Sequence, residues 1–218
     1  MAELVTIPIS YFEVIADYEG PNVSLWMDRS AVVQGIFDAL KPWNPNVDNV
    51  EVITTGRPSE QGIKFKLPEK RASFFFGPAS CKFTTDNADW ASAEETIHIL
   101  DTALSTLLKL SGIVIASQKT LIALHFQPKT QPFFEILKPF VPPKLAALDT
   151  GPVKTMAVVL KWDKRKVTID GSGQIANGVF LRFEREFDGK ASYEEMAHQL
   201  KADEDKIFAV LGVEEDQA

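Results

Sequence analysis

Residues 92–112 read SAEETIHILDTALSTLLKLSG, and residues 192–212 read SYEEMAHQLKADEDKIFAVLG. Each stretch opens on Ser with Glu three residues later, Ser92 with Glu95 and Ser192 with Glu195. This is the capping box, in which the hydroxyl takes a first-turn N–H and the carboxylate reaches back. Each stretch closes on Gly, Gly112 or Gly212, the residue that most easily takes the left-handed conformation ending a helix. His98 and Leu100 recur as His198 and Leu200. Two helices of equal length, ended alike, predict a tandem duplication. A second correspondence points the same way. Phe37-Asp38-Ala39-Leu40-Lys41-Pro42-Trp43 and Phe134-Glu135-Ile136-Leu137-Lys138-Pro139-Phe140 share an aromatic, an acid, two apolar residues, Lys-Pro and a closing aromatic.

Outward from these helices, the β-rich runs Tyr11 to Tyr18 and Val23 to Met27 flank Glu19-Gly20-Pro21-Asn22, whose turn chemistry predicts a hairpin. Asp28 is placed to cap a helix carrying Val32, Val33, Ile36, Phe37 and Leu40 at helical spacing, stopped by Pro42. Short strands follow near 50–55, 62–67, 71–77 and 80–85, then the helix from 92 to 111. The second half repeats the order: a hairpin from 113 to 126, a short helix from Thr130 to Phe140, strands near 153–162, 164–170 and 177–187, and the helix from 192 to 211. The expected fold is α+β, a tandem pseudo-duplication of a β-β-α-β-β-β(-β)-α unit. Its antiparallel sheets would carry their helices on one face. The expected units are residues 1–112 and 113–218, packed as one globule.

The composition suits that reading. With 218 residues, 45% apolar and 24% charged, the chain has the make-up of a soluble globular protein. At this length it should remove about 70% of its unfolded surface from water, without disulfides or metal. Cys81 is its one cysteine. A lone thiol, and an opening Met1 to Ser10 that carries Glu3 and no basic stretch, lead to the expectation of a reducing, cytoplasmic location. No apolar run approaches the roughly 18 residues of a membrane helix. The net charge of -7 disfavours coating of nucleic acid or an anionic membrane. The halves differ: nine basic against fifteen acidic residues in 1–111, fourteen against fifteen in 112–218, where Glu214, Glu215 and Asp216 read as an acidic tail.

Strand faces add detail. In Arg71-Ala72-Ser73-Phe74-Phe75-Phe76, Phe74 and Phe76 share one face and Phe75 takes the other, so both faces read as covered. In the second half Val179, Leu181, Phe183 and Phe187 share a face opposite Arg182, Glu184 and Glu186, the pattern of a half-solvated strand with cross-strand ion pairs.

The titratable groups give no catalytic motif. His98 shares a helix stripe with Glu94, Asp101 and Ser105, and His198 shares one with Glu194, Lys201 and Asp205, so both read as exposed. Zinc would require further Cys or His ligands, and none lies near in sequence. Cys81 reads as a small core residue of a strand, and His125 as a strand-end residue bonded to its surroundings. Asp170-Gly171-Ser172-Gly173 has strands on both sides, so it reads as a hairpin connection rather than a phosphate loop. No cofactor, metal or catalytic residue is expected.

Two basic turns stand out. Lys64, Lys66, Lys70 and Arg71 flank Pro68-Glu69, while Lys161, Lys164, Arg165 and Lys166 surround Asp163 beside Trp162. Lysines on hairpin turns protect sheet edges and keep them soluble. The same residues, with Phe75, also form candidate contacts for a macromolecular partner. The expectation is therefore a non-enzymatic protein-interaction or assembly module that binds a protein partner or itself. Two alternatives are a ligand-binding or enzymatic domain with an apolar pocket between sheet and long helices, and a protein gripping a nucleic-acid backbone through paired basic prongs.

Overall fold

The structure, a computed structural model, describes residues 2–57, 60–146 and 157–216. Its strands are β1 (Glu3–Tyr18), β2 (Val50–Ile53), β3 (Gly62–Leu67), β4 (Ala72–Phe76), β5 (Ser80–Asp86), β6 (Ile115–Pro128), β7 (Val158–Lys161), β8 (Arg165–Gly171), β9 (Val179–Asp188) and β10 (Val213–Glu215). Its helices are α1 (Ser24–Met27), α2 (Arg29–Ala39), α3 (Ala93–Ser111), α4 (Phe133–Leu137), α5 (Pro143–Ala146) and α6 (Tyr193–Leu211). The strands form one ten-stranded sheet in the order β2-β3-β4-β5-β1-β6-β9-β8-β7, with β10 pairing β1. The fold is α+β on an antiparallel sheet, β10 being added parallel to β1.

The chain divides into two compact units, neither of them a contiguous stretch. The first comprises Tyr11–Thr120 and Glu186–Ala197, the second Met1–Ser10, Leu121–Arg185 and His198–Ala218. β1 and β6 each run through both. The sequence reading placed one division at residue 112.

In the first unit the core joins Phe65, Phe74, Phe76 and Phe83 of the strands to Val32, Ile36 and Leu40 of α2 and to Leu100, Leu104 and Leu107 of α3. Two helices side by side thus cover the sheet. The second unit buries Leu124, Phe126, Leu181 and Phe183 of its strands beneath Leu200, Phe208 and Leu211 of α6. Phe126 and Phe208 meet with ring centroids 5.7 Å apart.

Both predicted hairpins are absent. Residues 3–18 form one strand, and Ser24–Met27 is helical, with Met27 84% exposed. A five-residue apolar run is ambiguous between strand and helix. Here the Asn22 N–H donates to the Pro78 carbonyl at 2.7 Å, and Asp28 N–H donates to the Ser24 carbonyl at 3.0 Å, closing a helical turn. Residues 115–127 contain no Gly, Pro, Asn or Asp, so nothing turns the chain, and β6 runs straight. The expected acidic tail also departs from prediction: Val213–Glu215 pairs with Glu3–Val5. Within the strand expected at 153–162, residues 153–156 lie outside the described residues, and β7 is Val158–Lys161.

The two long helices do have equal length, 19 residues each, and each is followed by a left-handed Gly, at φ 66° for Gly112 and 67° for Gly212. Their starts differ. The Ser192 hydroxyl accepts from Glu195 N–H at 3.2 Å, as expected of a cap. Ser92 instead ends a short 3-10 turn, Trp90–Ser92, in which Asp89 accepts from Ser92 N–H at 2.6 Å. The Ser92 hydroxyl makes no cap bond to α3, so the first capping box does not form. Tandem duplication is not established by these features.

Candidate functional site

The turn joining β3 to β4 is a 3-10 turn over Pro68–Lys70, closed by Arg71 N–H donating to the Pro68 carbonyl at 3.0 Å. Arg71 sits at φ 50°, a left-handed conformation that disfavours a side-chain-bearing residue. The register Lys64↔Phe75↔Lys82 sets Phe75 between two lysines on the face opposite the core. Phe75 is half-buried. A Cβ at Gly62 would come within 2.9 Å of its ring and one at Gly77 within 3.0 Å, so the ring lies on the bare backbone of two glycines. Lys66 shares that face, whereas Lys70 turns toward α3 and pairs with Glu95 at 2.6 Å. The neighbouring cleft of about 340 Å³ is lined by Lys70 and Arg71 but also by Glu69, Asp86 and Glu95. The cations of this turn therefore diverge, and those near α3 stand among acids.

The turn joining β7 to β8 is tighter, with Trp162 N–H donating to the Arg165 carbonyl at 2.8 Å across Asp163-Lys164. Strand alternation divides its residues between two faces. Lys161 and Lys166 are register partners on the outer face, where Lys166 lies 3.7 Å from Glu184 and Arg182 lies 3.0 Å from the same carboxylate. Lys166–Glu184 is a cross-strand pair of the kind that the alternation of β9 predicted, and Arg182 joins it from within β9.

On the inner face Val158, Leu160, Trp162, Val167 and Ile169 form one wall of a second cleft, again about 340 Å³. Asp203, Lys206, Ile207 and Val210 of α6 form the other, at the spacing of one helix face. Leu160 is 46% exposed, Trp162 49% and Val210 69%. Asp203 is held by two arginines that are register partners, Arg185 at 2.6 Å and Arg165 at 3.4 Å, and the Arg165 guanidinium also lies 5.9 Å from the Trp162 ring centroid. Lys164 and Lys206 have no ion-pair partner among the described residues. This apolar cleft, edged by Arg165, Lys206 and the paired acids Asp203 and Glu184, is the candidate site. The sequence singled out Trp162, Lys164 and Arg165 but missed Leu160, Lys206 and Val210. The i, i+3, i+4, i+7 pattern of residues 203, 206, 207 and 210 was a readable signal for them.

The remaining candidates are structural. Cys81 is buried, and burial pushes its thiol up to about 12, so it is inert as a nucleophile. His98 and His198 are exposed, and His98 makes an edge contact with Trp43 at 5.2 Å. The Ser172 hydroxyl accepts from Gln174 and Ile175 N–H at 3.1 and 2.9 Å, so its own proton is directed to His125 Nδ1 at 2.8 Å. Burial holds the His125 imidazole below its usual value of 6.5, favouring this neutral acceptor. The pair ties β6 to the turn between β8 and β9. Among the described residues no group of three His, Cys, Asp or Glu is arranged to hold a metal, and no helix is long and apolar enough to cross a membrane.

No protein-family model matches this chain. No curated protein is similar to it either.

Proposed function

We propose that this protein is a non-enzymatic binding module whose recognition surface is the cleft between β7–β8 and α6, and that it takes an apolar, acidic segment of a partner protein. One observation carries the reading. Leu160, Trp162 and Val210 expose apolar surface on the two walls of one cleft, Lys206 lines it without an ion-pair partner among the described residues, and Lys164 stands exposed in the adjoining β7–β8 turn. An exposed apolar patch with a charged rim is the ordinary anatomy of an interaction site, and aromatic side chains supply its strongest anchors. The β3–β4 turn lacks such a patch, so Lys64, Lys66, Lys70, Arg71 and Phe75 are not assigned to it.

A second reading rests on the size of the same cleft, which lies within the range of small-molecule pockets. Native mass spectrometry of the protein isolated from its own host separates the two. A bound polypeptide that is lost from Trp162→Ala and from Lys206→Glu, yet kept by Phe75→Ala, is the expected result. An added mass of a few hundred daltons with the same sensitivity supports the small-ligand reading. Bound material indifferent to Trp162 and Lys206 overturns both.

A further inference from the structure

We infer that the occupant of the cleft is an amphipathic helix of a partner protein, laid beside α6 across β7 and β8. Its apolar stripe would rest on Val158, Leu160 and Val167, and its acidic flank would face Lys164, Arg165 and Lys206. The inference rests on the binding reading above and adds the shape of the partner.

The first argument comes from how each unit covers its own strands. In the first unit α2 packs beside α3, and its Val32, Ile36 and Leu40 are buried in the core with Phe65 and Phe76. In the second unit, among the described residues, α4 has five residues, α5 has four, and α6 is the one long helix. The inner faces of β7 and β8 and the flank of α6 thus present apolar side chains with no second long helix over them among the described residues.

The second argument is geometric. A peptide added as a strand would bond to the backbone edge of β7, the end strand of the sheet. That would leave Ile207 and Val210 on α6 uncovered. A helix lying in the cleft touches both walls at once, as an i, i+3, i+4, i+7 stripe does in a hydrophobic groove.

The third argument is charge. The two acids that line the cleft are paired, Asp203 with Arg165 and Arg185, and Glu184 with Lys166 and Arg182. Lys164 and Lys206 have no ion-pair partner among the described residues, and Arg165 keeps half of its side chain in solvent. Facing groups that are cationic select acidic residues on the flank of the helix.

The test selects random displayed peptides on the full-length protein and measures the affinity of the winners by fluorescence anisotropy. Expected are peptides with apolar residues at helical spacing and acidic flanks that gain helical circular dichroism on binding. They should weaken by about tenfold or more with Leu160→Asp and with Val210→Asp. Because both residues are exposed, neither change should unfold the protein, which a urea titration of each variant checks. The double variant Lys164→Glu, Lys206→Glu should reject these peptides and accept their Lys-flanked counterparts. Peptides with apolar residues in alternation, protecting the backbone amides of Val159 and Lys161 from exchange, would overturn the helix and leave the binding reading standing. Winners that bind only after residues 147–156 are deleted would make the chain its own occupant and overturn the inference. Winners unaffected by Leu160→Asp and Val210→Asp would remove both.

Discussion

The β3–β4 turn and the β7–β8 turn carry similar residues, four cations around one acid with an aromatic beside them, and the structure uses them differently. In the first, Phe75 settles on Gly62 and Gly77, Lys70 pairs with Glu95, and the adjacent cleft mixes charges of both signs. In the second, Trp162 and Arg165 join an apolar cleft, while Lys161 and Lys166 point to the opposite face. What separates the two turns here is the layer beneath them. Where two long helices cover the strands, the cleft beside the turn mixes charges of both signs; where, among the described residues, one does, exposed apolar wall is left over.

The largest expected effect tests that layer directly. Phe76 has no solvent exposure, so Phe76→Ala should cost about 4 kcal/mol of unfolding free energy in a urea titration. Trp162→Ala should cost less than about 1 kcal/mol, because half of that side chain is in water already. A Trp162 variant as damaged as the Phe76 variant would mean that the cleft is core.

Next comes the pairing of acid with cation. Asp203→Ala strips the shared partner from Arg165 and Arg185, one of them largely buried at 24% side-chain exposure. The expected cost is about 1–2 kcal/mol. Glu95→Ala in the first turn breaks a half-exposed pair and should stay within about 0.5 kcal/mol. Equal losses would erase this difference between the turns.

Smaller still is the backbone term. Arg71 is the one non-Asn, non-Gly residue at positive φ among the described residues. Arg71→Gly should raise stability by about 0.5–1 kcal/mol, whereas Lys164→Gly, at a turn with no positive φ, should not. The two urea midpoints, read side by side, decide it.

The fourth expectation concerns pH. His125 titrates more easily unfolded than folded, because burial lowers its folded value below 6.5. Its neutral form is the one the fold stabilises, so this contribution is present above about pH 6.5 and is lost as pH falls below it. The urea midpoint should drop between pH 7 and 5, and His125→Gln should flatten that drop. A different window belongs to Glu3, whose carboxylate accepts from the Thr130 hydroxyl and from Thr130 and Gln131 N–H and is held below its usual 4.5. That stability is present above the unfolded value and is lost in more acid solution.

The α+β class and the long helices were legible because their apolar periodicity runs for many residues. The strands near 62–67 and 80–85 were legible from alternation between turn residues. The two hairpins fail for different reasons: residues 115–127 hold no Gly, Pro, Asn or Asp to turn the chain, and the short run Val23–Met27 suits strand and helix alike. Ser92 illustrates another limit. Its capping signature is intact, yet Asp89, three residues earlier, wins its N–H and moves the helix start. Trp162 could be singled out from the sequence, but its partners on α6 lie some forty residues away, and only the fold brings them together.

The pairing of Val213–Glu215 with Glu3–Val5 has a consequence for synthesis. The second unit contains both of those strands and cannot be completed until residue 215 has left the ribosome. At about 5–20 residues per second, its first strand waits roughly 10–40 s for its partner. During that interval Leu4 and Val5 are held by nothing at that edge, and a chaperone or a stray strand has time to reach them first.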